Sequence, residues 1–179
     1  MLYLFLIAAF LTFAALPLQQ QIDLGMSQSN LIAALYYPFL HTSWLHLLIN
    51  IFSLAMLWHP AQKLWAQRFE GIYWIPRQRA FMRPRLFIYT YTGAVLAALI
   101  TANNTPTIGA SGLVFYLLGM ILLLNPTKQQ LINYIPILLA VILQFFIGNS
   151  NVMLHIVAFI IGAISVIIKQ TLTKITNRT

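Results

Sequence analysis

The chain has 179 residues, of which 60% are hydrophobic and 7% charged, with a net charge of +8 and no cysteine. This composition excludes an ordinary soluble domain, a disulfide framework and a thiolate nucleophile, and describes an integral membrane protein. Its ten basic residues are scattered along connections without a basic, aromatic surface, which argues against a nucleic-acid partner and for membrane topology. A spanning helix needs about 20 mostly apolar residues, so the length fits about six spans in a single all-α domain covering residues 1–179, with no separate soluble part.

Taken in order, Leu2 to Leu16 is apolar and ends at Pro17 and Gln19-Gln20-Gln21. No basic residue precedes it, so it reads as a short first span more than as a cleaved signal. Residues 18–43 form a long connection carrying Asp23, and its apolar part, Leu31 to Phe39 with Tyr36 and Tyr37, suits a segment lying in the headgroup region. Span two is predicted over residues 44–58, followed by a connection that runs from Lys63 to Arg85. Span three is predicted over 86–102, the turn Asn103-Asn104-Thr105-Pro106 follows, and span four covers 112–124 up to Asn125-Pro126. Span five is predicted over 131–147 with a kink at Pro136, and span six over 152–168 after the turn Gly148-Asn149-Ser150-Asn151.

Every Lys and Arg falls after an even-numbered span. The positive-inside rule therefore puts both termini in the cytoplasm of a multi-pass protein, as expected for a bacterial or archaeal plasma membrane.

Polar residues inside spans are costly and demand an account. At about 1.5 Å of rise per residue, Ser111 lies roughly 25 Å above Lys128, His155 roughly 21 Å above Lys169, and His46 and Asn50 roughly 25 and 20 Å above Lys63. The four share one layer, several ångströms inside the outer surface of a hydrocarbon slab about 30 Å thick. Span four is only about 20 Å long, so its outer end must be reached by a re-entrant loop, residues 103–107, that is buried in protein or lines an aqueous pocket.

Gly109-Ala110-Ser111-Gly112 stands at the mouth of span four, with Gly119 eight residues beyond the serine. Glycines beside a serine permit unusual dihedrals and close approach of a substrate, which suits a nucleophile; small residues also simply let membrane helices pack closely. On span six, His155, Ala158, Gly162 and Ser165 share a face, and a close crossing against Gly119 would bring His155 toward Ser111. His46 and Asn50, four apart on span two, can aim two donors at one point. Serine, imidazole and adjacent donors form the set for acyl transfer: nucleophile, general base and oxyanion stabilisers. Asp23 and Glu70 lie outside this layer, so the set is a dyad; four scattered histidines are a weak metal-ligand set, and neither metal nor cofactor is expected.

These residues resemble the rhomboid family of intramembrane serine proteases. The likeness rests on His41-x4-His46-x3-Asn50 at the start of span two, Gly109-Ala110-Ser111-Gly112 with Gly119 on span four, and His155 with Gly162 on span six, in the family's order across residues 38–168. It implies a six-span rhomboid-like bundle with Ser111 as nucleophile and His155 as its base. His46, Asn50 and the Ser111 N–H would form the oxyanion site, and His41 would hold the first loop. Phe115 falls where the family often has a tyrosine packing on the catalytic imidazole. The resemblance further implies membrane-protein substrates and their lateral entry near span five; the site is expected to open to the extracytoplasmic side, the face nearer Ser111. Departures include Gln62 where many members have glutamate, Ala158 for a frequent glycine, Leu154 for a small residue, and no Trp-Arg pair in the first loop. A small sortase-like rhomboid subfamily that processes C-terminal anchors is among the subfamilies that the resemblance leaves open. Two other functions are open to the same residues: an inactive rhomboid-like protein that binds membrane helices, and a small transporter, for which no inverted repeat or intramembrane carboxylate is visible.

Overall fold

The computed structural model describes residues 2–73, 84–124, 128, 132, 135 and 151–176. Apart from residues 132 and 135, predicted span five lies outside the described residues, as do the kink at Pro136 and the turn at 148–150. Those described are mainly helical: α1 (Leu2–Ala15), α2 (Leu18–Asp23), α3 (Trp44–Phe69), α4 (Pro84–Ile100), α5 (Ser111–Leu123) and α6 (Val152–Thr176), with 3-10 turns at Leu31–Leu35 and Tyr37–Phe39. Two of them, α3 and α6, are long and apolar enough to cross a membrane; α1, α4 and α5 are shorter apolar helices.

Local chemistry sets where the two long helices start. Ser43, extended at φ −162°, accepts the His46 N–H at 3.1 Å and so caps α3. Asn151 does the same for α6, its side-chain oxygen accepting the Leu154 N–H at 3.1 Å. Both helices outrun the apolar stretches from which their spans were predicted. α3 continues beyond Trp58, through Pro60, to Phe69, and α6 beyond Ile168 to Thr176, so that Lys63, Arg68, Lys169 and Lys174 are helical. Charge ends a hydrocarbon-compatible stretch but does not break a helix, and the missing Pro60 N–H is one bond in a helix of 26 residues.

At the centre is α5, whose residues from Ser111 to Ile121 are all buried, in keeping with a helix that is apolar on every side. It packs most extensively on α6 and also touches α3 and α4. The α5–α6 crossing is backbone against backbone. A Cβ added at Gly119 would overlap the Phe159 carbonyl, and one at Gly162 would overlap the Tyr116 carbonyl. Ala158, one turn before Gly162, is completely buried.

The first connection packs one of its faces into the bundle. Leu31, Ile32 and Leu35 are exposed, but Ala33, Ala34 and Tyr37 are buried. The Tyr37 hydroxyl donates to the Ala94 carbonyl of α4 at 3.2 Å, and the Tyr91 hydroxyl donates to Leu35. A buried phenol needs such a partner, and this one inserts the loop into the bundle.

Because the crossing leaves no room for a methyl group, Gly119→Ala and Gly162→Ala should each destabilise the fold by at least the 1–3 kcal/mol typical of overpacking. Thermal unfolding in detergent measures this; unchanged unfolding temperatures in both variants would contradict it.

Candidate active site

The N-terminal ends of α3, α5 and α6 meet at one end of the bundle. His46 is the third residue of α3, Ser111 the first of α5 and His155 the fourth of α6. Ser111 Oγ and His155 Nε2 are hydrogen-bonded at 2.8 Å, and both residues are buried. The Phe115 ring, one turn along α5 from the serine, stacks on the imidazole with centroids 4.3 Å apart and planes 9° from parallel. The α5–α6 crossing and this stacking place and orient His155 without a carboxylate.

Gly109 has φ +114°, a left-handed conformation that disfavours any residue with a Cβ. An added Cβ would stand 2.6 Å from His46 Cε1, 2.8 Å from His46 Nε2 and 3.5 Å from Asn50 Nδ2. The imidazole and the amide therefore converge on the bare backbone two residues before Ser111. Gly112 performs a related task, since its Cβ would meet the Tyr37 hydroxyl. The Gly109 N–H donates to the Tyr37 carbonyl at 3.0 Å, tying the turn to the first connection.

His46 is held from the opposite side. Its Nδ1 lies 3.0 Å from the Thr42 hydroxyl and receives the Thr42 N–H at 3.4 Å. His41 is buried beside it, with ring centroids 5.1 Å apart. Its backbone N–H donates to Gln21 Oε1 at 2.9 Å, while Gln21 Nε2 donates to the Leu16 carbonyl at 2.9 Å. His41 Nδ1 donates to the Phe39 carbonyl at 3.3 Å.

At Thr107 the loop into α5 is anchored from two sides. Thr107 and Met26 exchange backbone hydrogen bonds of 2.9 and 2.8 Å, and Asn151 Nδ2 donates to Thr107 Oγ1 at 3.0 Å. Asn151 thus caps the helix of His155 and holds the loop of Ser111 with one side chain.

Every site residue singled out from sequence is among the described residues. Ser111, His155 and Phe115 form one contact set, and Gly109, His46 and Asn50 another, with His41 against His46; Gly119 and Gly162 lie at the helix crossing below. Sequence reasoning did not single out Gln21, Thr42 or Asn151. Polar residues at connections are ordinary there, and only their contacts distinguish them.

Burial, helped by the neighbouring His46, pushes the His41 imidazole down from 6.5 to about 3. Between those values the unfolded chain binds a proton that the folded chain excludes, so this histidine makes stability rise with pH. Its stabilising contribution is complete above about 6.5 and is lost as pH falls toward 3. Denaturation from pH 7 to pH 4 should show a shallower loss of stability in His41→Gln than in the wild type; equal slopes would contradict this account.

The family model for the Rhomboid domain matches residues 28–171, which take in α3, α4 and α5 whole and α6 as far as Thr171. Comparison with curated proteins and with solved structures returned no match. With a match over most of the chain, and with its helices meeting in this way, the protein belongs to the rhomboid family of membrane proteins, to which intramembrane serine proteases belong.

Proposed function

We propose that the protein is an intramembrane serine protease that hydrolyses peptide bonds within or beside the transmembrane segments of membrane proteins. The observation that carries this reading is the 2.8 Å hydrogen bond between Ser111 Oγ and His155 Nε2 under the Phe115 ring. Ser111 Oγ attacks the scissile carbonyl carbon while its proton passes to His155 Nε2. The oxyanion so formed receives hydrogen bonds from His46, Asn50 and the Ser111 N–H, which stands in the first turn of α5, where backbone N–H groups lack intrahelical acceptors. Collapse of the tetrahedral intermediate breaks the C–N bond, and His155 returns its proton to the leaving amine. Water then gives a proton to His155 and its hydroxide to the acyl-serine. The second collapse releases the carboxylic acid, and the proton returns from His155 to Ser111.

The same proposal includes the membrane arrangement. Six spans, with residues 103–107 dipping in from outside, put both termini in the cytoplasm and let water reach Ser111 from the extracytoplasmic face. The ten basic residues after even-numbered spans support this orientation.

Ser111→Ala and His155→Ala should abolish cleavage of a membrane-protein substrate while the protein stays folded, and labelling of Ser111 by a fluorophosphonate, read by mass spectrometry, should depend on His155. Wild-type cleavage by either variant would refute the dyad. Folded, accessible protein without labelling would instead indicate an inactive relative that binds membrane helices. His46→Ala and Asn50→Ala should slow cleavage by about 10- to 1000-fold, the range for lost oxyanion donors.

The orientation is testable because the chain has no cysteine of its own. In whole cells, an impermeant maleimide should label a cysteine at position 104 and reach one at position 174 only after lysis. The reverse pattern would invert the topology.

A further inference from the structure

His46 has two ring nitrogens, and only one of them faces the convergence point at Gly109. That one is Nε2, 2.8 Å from where a Gly109 Cβ would stand. To donate there, a neutral imidazole must carry its proton on Nε2 and leave Nδ1 as an acceptor. The other tautomer would turn a lone pair toward the oxyanion and repel it.

The residue that decides between them is Thr42, four residues earlier in the chain. Its backbone N–H, which can only donate, points at Nδ1 at 3.4 Å. A proton on Nδ1 would set two N–H groups against each other. The Thr42 hydroxyl lies 3.0 Å from the same nitrogen and can give it a second hydrogen bond. Ser43 meanwhile fixes the backbone of the same histidine by accepting its N–H at 3.1 Å. The dipeptide before α3 therefore holds His46 at the backbone and at the ring. No carboxylate among the described residues makes an ion pair or hydrogen bond with His46 that would favour a doubly protonated ring.

We infer that Thr42 is a positioning residue that locks His46 in the Nε2–H tautomer and so makes it an obligate hydrogen-bond donor toward Gly109. Its importance for rate rests on the proposed protease reading, but the tautomer itself does not.

Thr42→Val keeps the shape of the side chain, replaces the hydroxyl with a methyl group and leaves the backbone N–H in place. Thr42→Ser restores the hydroxyl. Histidine labelled with nitrogen-15 in purified protein in micelles, with His46 assigned by its loss in His46→Ala, reports the tautomer directly by NMR. The wild type, Thr42→Ser and Thr42→Val, all of which keep the backbone N–H, should show a protonated Nε2 and a bare Nδ1, whereas Thr42→Pro, which lacks both donors, should shift toward the other tautomer. In cleavage assays Thr42→Pro should lower kcat by about 10-fold, short of the 10²–10³ for deleting an oxyanion donor, with KM within about two-fold of wild type and Thr42→Ser near wild type. A protonated Nδ1 in the wild type or in Thr42→Val, or a tautomer unchanged in Thr42→Pro, would overturn the inference. If the wild type cleaves nothing yet the tautomer responds to Thr42 as described, the protease reading fails and the role of Thr42 stands.

Discussion

The structure depends on a backbone-to-backbone crossing between α5 and α6. Apolar helices in lipid gain little from burying apolar surface, since the lipid tails are equally apolar, so their association relies on close packing. Gly119 meets the Phe159 carbonyl and Gly162 the Tyr116 carbonyl, at positions where a methyl group would not fit. That proximity sets the separation of the two helix axes. Two turns along α5 from Gly119, it leaves Ser111 and His155 within one hydrogen bond of each other. A helix separation larger by a side chain would break this bond.

Above the crossing, hydrogen bonds take over from packing. The turn at Gly109 is held by Tyr37, the loop at Thr107 by Met26 and Asn151, and the segment at His41 by Gln21. Each tie joins residues far apart in sequence, so the polar layer is rigid although much of it is not helical. Backbone groups in a water-poor setting must find partners inside the protein, and here those partners also hold the turn at Gly109, the loop before Ser111 and the segment at His41.

The electrostatics follow from the same arrangement. α3, α5 and α6 turn their N-terminal ends toward the site, and the positive end of a helix dipole favours negative charge. Such a setting suits an oxyanion. It also removes the need for a carboxylate to orient His155, because the stacked Phe115 ring and the Ser111 hydroxyl fix the imidazole on two sides.

Much of this was legible in the sequence, for identifiable reasons. Apolar stretches and charge placement give the helices because they report directly on the cost of polar groups in hydrocarbon. Ser111, His155, His46 and Asn50 stand out because polar side chains in such stretches are expensive. Helix ends were less legible: α3 and α6 run on past their apolar stretches, since charge does not terminate a helix. The burial of Tyr37 could not be read from a connection with apolar and aromatic residues on all sides, because which face turns inward depends on α4. The sequence by itself determined a membrane bundle and the polar residue types of its inner layer, Ser111, His155, His46 and Asn50, through local composition and spacing. Only the tertiary structure decided the 2.8 Å contact, the convergence on Gly109 and the ties from Gln21, Thr42 and Asn151, because each depends on a distance or direction that no single segment fixes.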